Sequence, residues 1–117
     1  MMTPTAFYKC LADDTRLAAL LLISLEQELC VCEIMKALGE QSQPKVSRHL
    51  AQLKASNLLV TRRQKQWIFY ALNPALETWA KQIIDITAQS NSAFLETPLA
   101  RLSAMGDRPD RIKECCD

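Results

Sequence analysis

Two short amphipathic helices joined by a tight turn constrain the fold of this chain more than any other feature. Residues 31–38 place apolar side chains at the i, i+3, i+4 and i+7 positions of one helix face, and Gly39 then provides a natural helix stop. A second helix is predicted from Ser42 to about residue 56, because serine is a favoured cap and Pro44 suits the first turn. Helices of this length joined by a short glycine-containing turn are typical of a helix-turn-helix.

The rest of the chain predicts further helices around this pair and one β-hairpin after it. A short first helix is expected over residues 5–12, and a buried second helix in the segment TRLAALLLISL, which comes after the capping residues Asp13 and Asp14. The β-rich runs LLVTRR and WIFYAL, separated by residues 64–66, predict a hairpin. The expected fold class is therefore mainly α with a β-hairpin wing (α+β), a winged helix-turn-helix.

A long last helix is expected over about residues 75–89, opened by Pro74. Its apolar stripe exceeds what so small a chain can cover, so we expect it to pack on the same helix of a second copy, giving a homodimer through the terminal helices. Pro98 should break or kink the segment after that helix. We expect one winged helix-turn-helix and dimerisation domain over residues 1–105 and a flexible tail over residues 106–117.

Basic charge is concentrated in one part of the chain. The net charge is +1, yet residues 41–70 carry six Lys and Arg and no Asp or Glu, which leaves 8 basic against 13 acidic residues elsewhere. Such a compact positive segment is typical of a surface that faces phosphates. We therefore expect double-stranded DNA as a partner, with the second helix of the helix-turn-helix in a major groove and the wing beside it. The candidate DNA-binding residues are Gln43, Lys45, Ser47, Arg48, His49, Arg62, Arg63 and Lys65.

The composition argues against membrane proteins and enzymes. No run approaches the roughly 20 apolar residues that a membrane helix requires. The N-terminal residues lack the features of a secretory signal, so we expect a cytoplasmic protein with reduced thiols. A chain with two glycines has no glycine-rich phosphate loop, and no C-x-x-C redox motif occurs, so no catalytic residue is predicted.

The cysteines are the remaining candidates for chemistry. Their odd number in a cytoplasmic chain favours free thiols, metal binding or redox chemistry over a disulfide framework. They are Cys10, Cys30, Cys32, Cys115 and Cys116.

The segment ELCVCEIMKALGEQSQPKVSRHLAQLKASNLL, with LADDTRL before it and WIFYAL after it, resembles the ArsR/SmtB family of metalloregulatory repressors, and specifically its arsenic-sensing branch. The resemblance covers about residues 6–86. It implies a homodimeric winged-helix repressor that binds an imperfect palindrome of operator DNA without a cofactor and is released when As(III) or Sb(III) binds cysteine thiolates. Cys30 and Cys32 then occupy the first two thiolate positions, and Met35 stands where many members have a third cysteine.

Two thiolates at this place suit the chemistry of trivalent arsenic, a soft ion that favours a pyramid of sulfur ligands. On an ideal helix, residues two apart point about 200° away from each other, so one arsenic cannot bridge Cys30 and Cys32 there. We therefore expect binding to distort the start of this helix and to disturb the recognition helix behind it. The third ligand stays open among Cys10, the pair Cys115 and Cys116, a small cytosolic thiol and hydroxide.

Two other functions use the same cysteines. A cadmium or lead sensor would combine Cys30 and Cys32 with Cys10, and a metal-free redox switch would join two cysteines in a disulfide. A zinc or nickel sensor would need histidines on the last helix, and that helix has none.

Overall fold

The computed structural model describes residues 2–106, and in that range it contains six helices and one antiparallel sheet with the strand order β1-β3-β2. The elements in chain order are α1 (Pro4–Leu11), α2 (Asp14–Glu26), β1 (Glu28–Cys30), α3 (Val31–Leu38), α4 (Gln43–Ala55), β2 (Leu59–Gln64), β3 (Trp67–Leu72), α5 (Thr78–Ser90) and α6 (Ser92–Ala104). The predicted helix-turn-helix, α3 and α4, and the predicted wing, β2 and β3, are confirmed.

Local capping signals set the helix boundaries. The side-chain oxygens of Thr3, Asp13 and Ser42 each accept a hydrogen bond from a backbone N–H in the first turn of α1, α2 and α4, respectively. Gly39 ends α3 in the left-handed conformation, with a φ of +68°. These caps give the two helices of the helix-turn-helix their short connection.

Helix α2 forms the centre of the core, as predicted. It packs against α3, α4, α5 and α6, and the ring of Phe7 ties α1 to α5 by an edge-to-face contact with Trp79, with 5.0 Å between centroids. Five side chains of α2 are at most 1 % exposed: Ala19, Leu20, Leu21, Leu22 and Ile23.

The two faces of the sheet have different neighbours. On the inner face, Leu29 lies opposite Tyr70, and Leu29 is fully buried in the main core. On the outer face, Cys30 lies opposite Phe69, which in turn lies opposite Arg62. Because the side-chain direction alternates along a strand, Leu29 lies on the core side of the sheet and the next residue, Cys30, lies on the outer side.

The sequence did not predict β1 at all. The strand has three residues and exists only because it pairs with β3, so it has no local pattern of its own. The sheet therefore has three strands rather than the two of the predicted wing, and the additional strand, β1, leads directly into α3.

The C-terminal helices differ from the prediction in two ways. Helix α5 begins at Thr78 rather than near residue 75, because Asn73 accepts a hydrogen bond from the Ala75 N–H at 2.9 Å and holds Pro74 in a turn. Pro98 lies inside α6 without ending it, and the buried Leu residues of α6 pack on either side of it.

The apolar stripe of α5 is partly covered within the chain. Ala80, Ile84 and Ala88 are buried, and α5 packs against α2, whereas Ile86 is 63 % exposed. We therefore expect a second copy to cover only the exposed part of this stripe. Apart from Gly106, the tail predicted over residues 106–117 lies outside the described residues and stays a prediction. Among residues 2–106, no helix is long and apolar enough to span a bilayer.

Helix α6 contacts the end of α3 through Arg101. Its Nη1 donates to the Ala37 carbonyl at 3.3 Å, and a Cβ built at Gly39 would lie 2.5 Å from the same nitrogen. We expect Gly39→Ala to lower the free energy of unfolding by the cost of a left-handed alanine, about 1–2 kcal/mol, and by a further contribution of about 0.5–1.5 kcal/mol, because Arg101 turns aside and loses its hydrogen bond to the Ala37 carbonyl. Urea denaturation measures this.

Gly106→Ala is the matched control, since Gly106 also has a positive φ but no described atom lies within 4 Å of its built Cβ. Equal losses of stability in the two variants would contradict the role of Arg101.

Candidate DNA-binding surface and thiol site

Helix α4 presents a polar, basic face away from the core. Its apolar residues Val46, Leu50 and Leu53 are at most 1 % exposed and hold it against α2 and α3. Gln43, Lys45 and Arg48 are exposed, and Ser47 is half-buried. The outer arc predicted for the recognition helix is therefore open over these four residues.

The basic residues of this surface are held to different degrees. Arg48 makes no ion pair within residues 2–106, and Arg63 donates only to the Lys65 carbonyl of its own turn, at 3.3 Å. Lys45, by contrast, lies 3.1 Å from the Glu40 carboxylate, whose pKa is lowered by the Ser42 backbone N–H and by Lys45. Arg48, Arg63 and Lys65 thus remain the most available for phosphates or bases.

His49 lies at the contact between α4 and the start of α2. Its side chain is 16 % exposed, its Nδ1 lies 3.3 Å from Arg16 Nη1 and its Nε2 lies 3.8 Å from Asp13 Oδ1. Because arginine can only donate, Arg16 is the donor in this contact. Arg16 also donates to the Gln52 side chain and to the Cys10 carbonyl. The structure therefore places His49 where it orients α4 rather than on the open face with Arg48.

Cys30 joins the sheet to α3, the first helix of the helix-turn-helix. It is the last residue of β1 and also the N-cap of α3, with extended backbone angles of φ −90° and ψ 168°. Its N–H donates to Glu33 Oε1 at 2.9 Å, and the two residues form a capping box although Glu33 is fully buried. One residue thus fixes both the end of the strand and the start of the helix.

The two cysteines of the ELCVC segment share one small cluster. Cys30 and Phe69 are buried at its centre, and Cys32 and Trp67 pack against them, separately from the main core. The premise that both cysteines lie on a regular helix is wrong, because Cys30 precedes α3 and only Cys32 lies within it. Their sulfurs extend from a strand end and a first helical turn, not from opposite sides of one helix.

Cys32 is disulfide-bonded in this structure, so a soft ion can bind its sulfur only after reduction. A cavity of about 360 Å³ adjoins Cys32 and is lined by Met35, Lys36 and the residues after Gly39. The Nε1–H of Trp67 is buried and has no hydrogen-bond partner within the described part of the chain.

The other cysteines are placed differently. Cys10 belongs to the main core and lines a separate cavity with Arg16 and Gln52. Cys115 and Cys116 lie outside the described residues. Residues 2–106 contain no group of three or more His, Cys, Asp or Glu side chains that could hold a metal. Within one chain the structure brings together Cys30 and Cys32 but not Cys10.

The wing residue Arg62 has partners that sequence reasoning missed. It binds the Glu28 carboxylate through both Nη2 and Nε, the latter at 2.8 Å from Oε2, and its guanidinium lies 4.7 Å from the centre of the Phe69 ring. The hydrogen bonds that Arg62 donates to Glu28 raise the pKa of Arg62. No local pattern predicts this pair, because its partners are 34 residues apart and meet only through β1.

Comparison with known proteins agrees with this fold. Residues 13–60 match the family described as bacterial regulatory protein, arsR family. The chain is 49 % identical over 116 residues to the arsenic resistance transcriptional regulator ArsR2 of Pseudomonas putida, covering 99 % of this chain and all of that protein. It is 45 % identical over 109 residues to the arsenical resistance operon repressor of Escherichia coli, covering 91 % and 92 %. The structure of reduced HlyU from Vibrio cholerae superposes with a TM-score of 0.66 at 31 % identity, covering 74 % of this chain and 86 % of that one.

The cap of α2 gives a pH dependence. The Arg16 backbone N–H holds the pKa of the Asp13 carboxyl below its usual value of 3.8, with smaller contributions from the charges of His49 and Arg16. A carboxyl whose pKa is lower in the folded than in the unfolded protein stabilises the fold at pH values above its unfolded pKa. This stability is lost as the pH falls through the folded pKa. We expect the free energy of unfolding of Asp13→Asn to lie below that of the wild type at pH 7, and the difference to shrink below about pH 4.

Urea denaturation between pH 7 and pH 2.5 measures the difference, and Asp85→Asn, at an exposed position of α5, is the control. A difference for Asp13→Asn that is the same at both ends of the range would be inconsistent with a charged cap.

Proposed function

The chain belongs to the ArsR family of bacterial regulatory proteins, and we propose that it is a cytoplasmic repressor of an arsenic-resistance operon, released from operator DNA when As(III) or Sb(III) binds Cys30 and Cys32. The observation that carries the proposal is the position of these two cysteines. They lie together at the start of α3, the first helix of the helix-turn-helix, in a small apolar cluster.

The proposed binding of DNA uses the open face of α4 and the wing. Arg48 and Gln43 are exposed on α4, where arginine can read guanine and glutamine can read adenine in a major groove. Arg63 and Lys65 at the hairpin turn supply attraction to phosphates that does not depend on sequence. His49 and Arg16 contribute by fixing the orientation of α4 on α2.

A homodimer would present two such faces to an imperfect palindrome. Exposed apolar side chains on the terminal helices support this assembly, with Tyr8 on α1, Ile86 on α5 and Phe94 on α6. These three residues are 54 %, 63 % and 38 % exposed, which is more than large apolar residues of a well-covered helix show.

The proposed switch acts at the Cys30 junction. To bind one soft ion, the thiolates of Cys30 and Cys32 must turn towards a common point. Cys30 is constrained on one side by its pairing with Phe69 and on the other by the capping box with Glu33, so this movement disturbs the first turn of α3. Since α3 packs against α4, the recognition helix loses its DNA-competent position.

The third ligand stays open among Cys10, the pair Cys115 and Cys116, and a small thiol or hydroxide from solution. Within the described residues, Cys30 and Cys32 share one cluster, whereas Cys10 belongs to the main core. We therefore propose that the chain supplies two thiolates from the described residues.

Two variants separate sensing from DNA binding. We expect Cys32→Ser to bind the operator as the wild type does but to stay bound when arsenite is added, because one thiolate is lost. We expect Arg48→Ala to bind the operator more weakly, because a base contact is lost, while its affinity for arsenite is unchanged. Fluorescence anisotropy of a labelled operator duplex, titrated under reducing conditions, measures both, with Cys10→Ser as the matched control.

The same titration distinguishes the other functions. Arsenite-induced release that survives in Cys32→Ser contradicts the proposed site. Release by cadmium at equal dose, lost in Cys10→Ser, would establish a cadmium sensor, and release by an oxidant alone would establish a redox switch.

A further inference from the structure

The outer face of the sheet connects the two cysteines to the wing by direct contacts. Cys30 of β1, Phe69 of β3 and Arg62 of β2 are register partners, and we refer to these three residues as the cross-strand row. Directly opposite residues of antiparallel strands project to the same side of a sheet, where their side chains contact each other. The row therefore runs across all three strands, from the proposed sensor to the wing.

Each contact along the cross-strand row is specific. Cys30 and Phe69 are 3 % and 4 % exposed and share one cluster. The Arg62 guanidinium lies over the Phe69 ring at 4.7 Å from its centre, a cation–π contact. Arg62 is also held by the Glu28 carboxylate, which lies two residues before Cys30 on β1. Strand β1 thus contacts the wing arginine both through the ring and through the carboxylate.

We propose that the cross-strand row transmits the state of the cysteine pair to the wing, an inference that rests on the proposed function. When Cys30 moves to bind the effector, Phe69 loses its packing partner and Arg62 loses the ring and carboxylate that hold it. The wing then no longer keeps the position in which it meets DNA. Arg62 is accordingly a positioning residue of the wing, in contrast to Arg63 and Lys65.

The two arginines of the wing offer a matched comparison. Arg63 lies next to Arg62 in β2 but opposite Ile68, so it projects to the other side of the sheet. Its hydrogen bond goes to the Lys65 carbonyl of its own turn. Removal of either arginine takes one positive charge from the wing, whereas only Arg62 contacts β1.

The test measures coupling rather than affinity alone. The dissociation constant for the operator duplex is determined with and without saturating arsenite. The value with arsenite divided by the value without it is the coupling ratio between the two sites. By linkage, the affinity for arsenite must change by the same ratio between the free and the DNA-bound protein, which gives a second and independent readout.

We expect Glu28→Gln and Phe69→Leu to lower this ratio at least about fivefold relative to the wild type, while free protein still binds arsenite. Phe69→Tyr, which keeps the aromatic ring, should retain the wild-type ratio. Arg63→Ala should weaken operator binding in both states and leave the ratio unchanged. Glu28→Gln changes a partly exposed side chain and therefore keeps the test valid if Phe69→Leu is poorly folded.

The outcomes separate the two claims. A wild-type ratio above one that Glu28→Gln leaves unchanged overturns the cross-strand row and leaves the proposed function standing. A wild-type ratio of one overturns both. If Arg63→Ala lowers the ratio as much as Glu28→Gln does, the cross-strand row is also overturned. A change of charge near the wing would then explain the lowered ratio without the row.

Discussion

The position of Cys30 is the constraint on which the rest of the structure depends. This residue ends β1, starts α3 and packs against Phe69, while its N–H is bonded to the buried carboxylate of Glu33. A buried carboxylate is costly unless it is hydrogen-bonded, so the capping box leaves little room for the junction to shift alone. A ligand that moves Cys30 must therefore disturb the strand, the helix or both.

The basic residues in and around the candidate DNA-binding surface serve two different purposes. Arg48, Arg63 and Lys65 project outwards, which suits contacts with DNA. Arg62 and Arg16 instead bind groups on other elements of the same chain, and they fix the wing on β1 and α4 on α2. Exposed ion pairs such as Arg62 with Glu28 add little to stability, so their importance lies in the geometry they maintain.

The sequence predicted the features that local signals encode. The caps at Asp13 and Ser42, the stop at Gly39 and the hairpin are set by residues close in the chain, and all of them were found. Strand β1 was missed because its three residues become a strand only by pairing with β3. For the same reason, helical spacing placed His49 on the outer arc of α4 but could not show its contact with Arg16, 33 residues earlier.

The central claim is that effector binding at the cysteine pair disrupts the start of α3. Amide hydrogen exchange, measured residue by residue in the reduced protein with and without arsenite, tests it most directly. The account predicts that the Cys30 amide, now bonded to Glu33, and the amides at the start of α3 lose protection when arsenite binds, while α2 keeps its own. Unchanged protection at Cys30 in arsenite-saturated protein that has left its operator would contradict it.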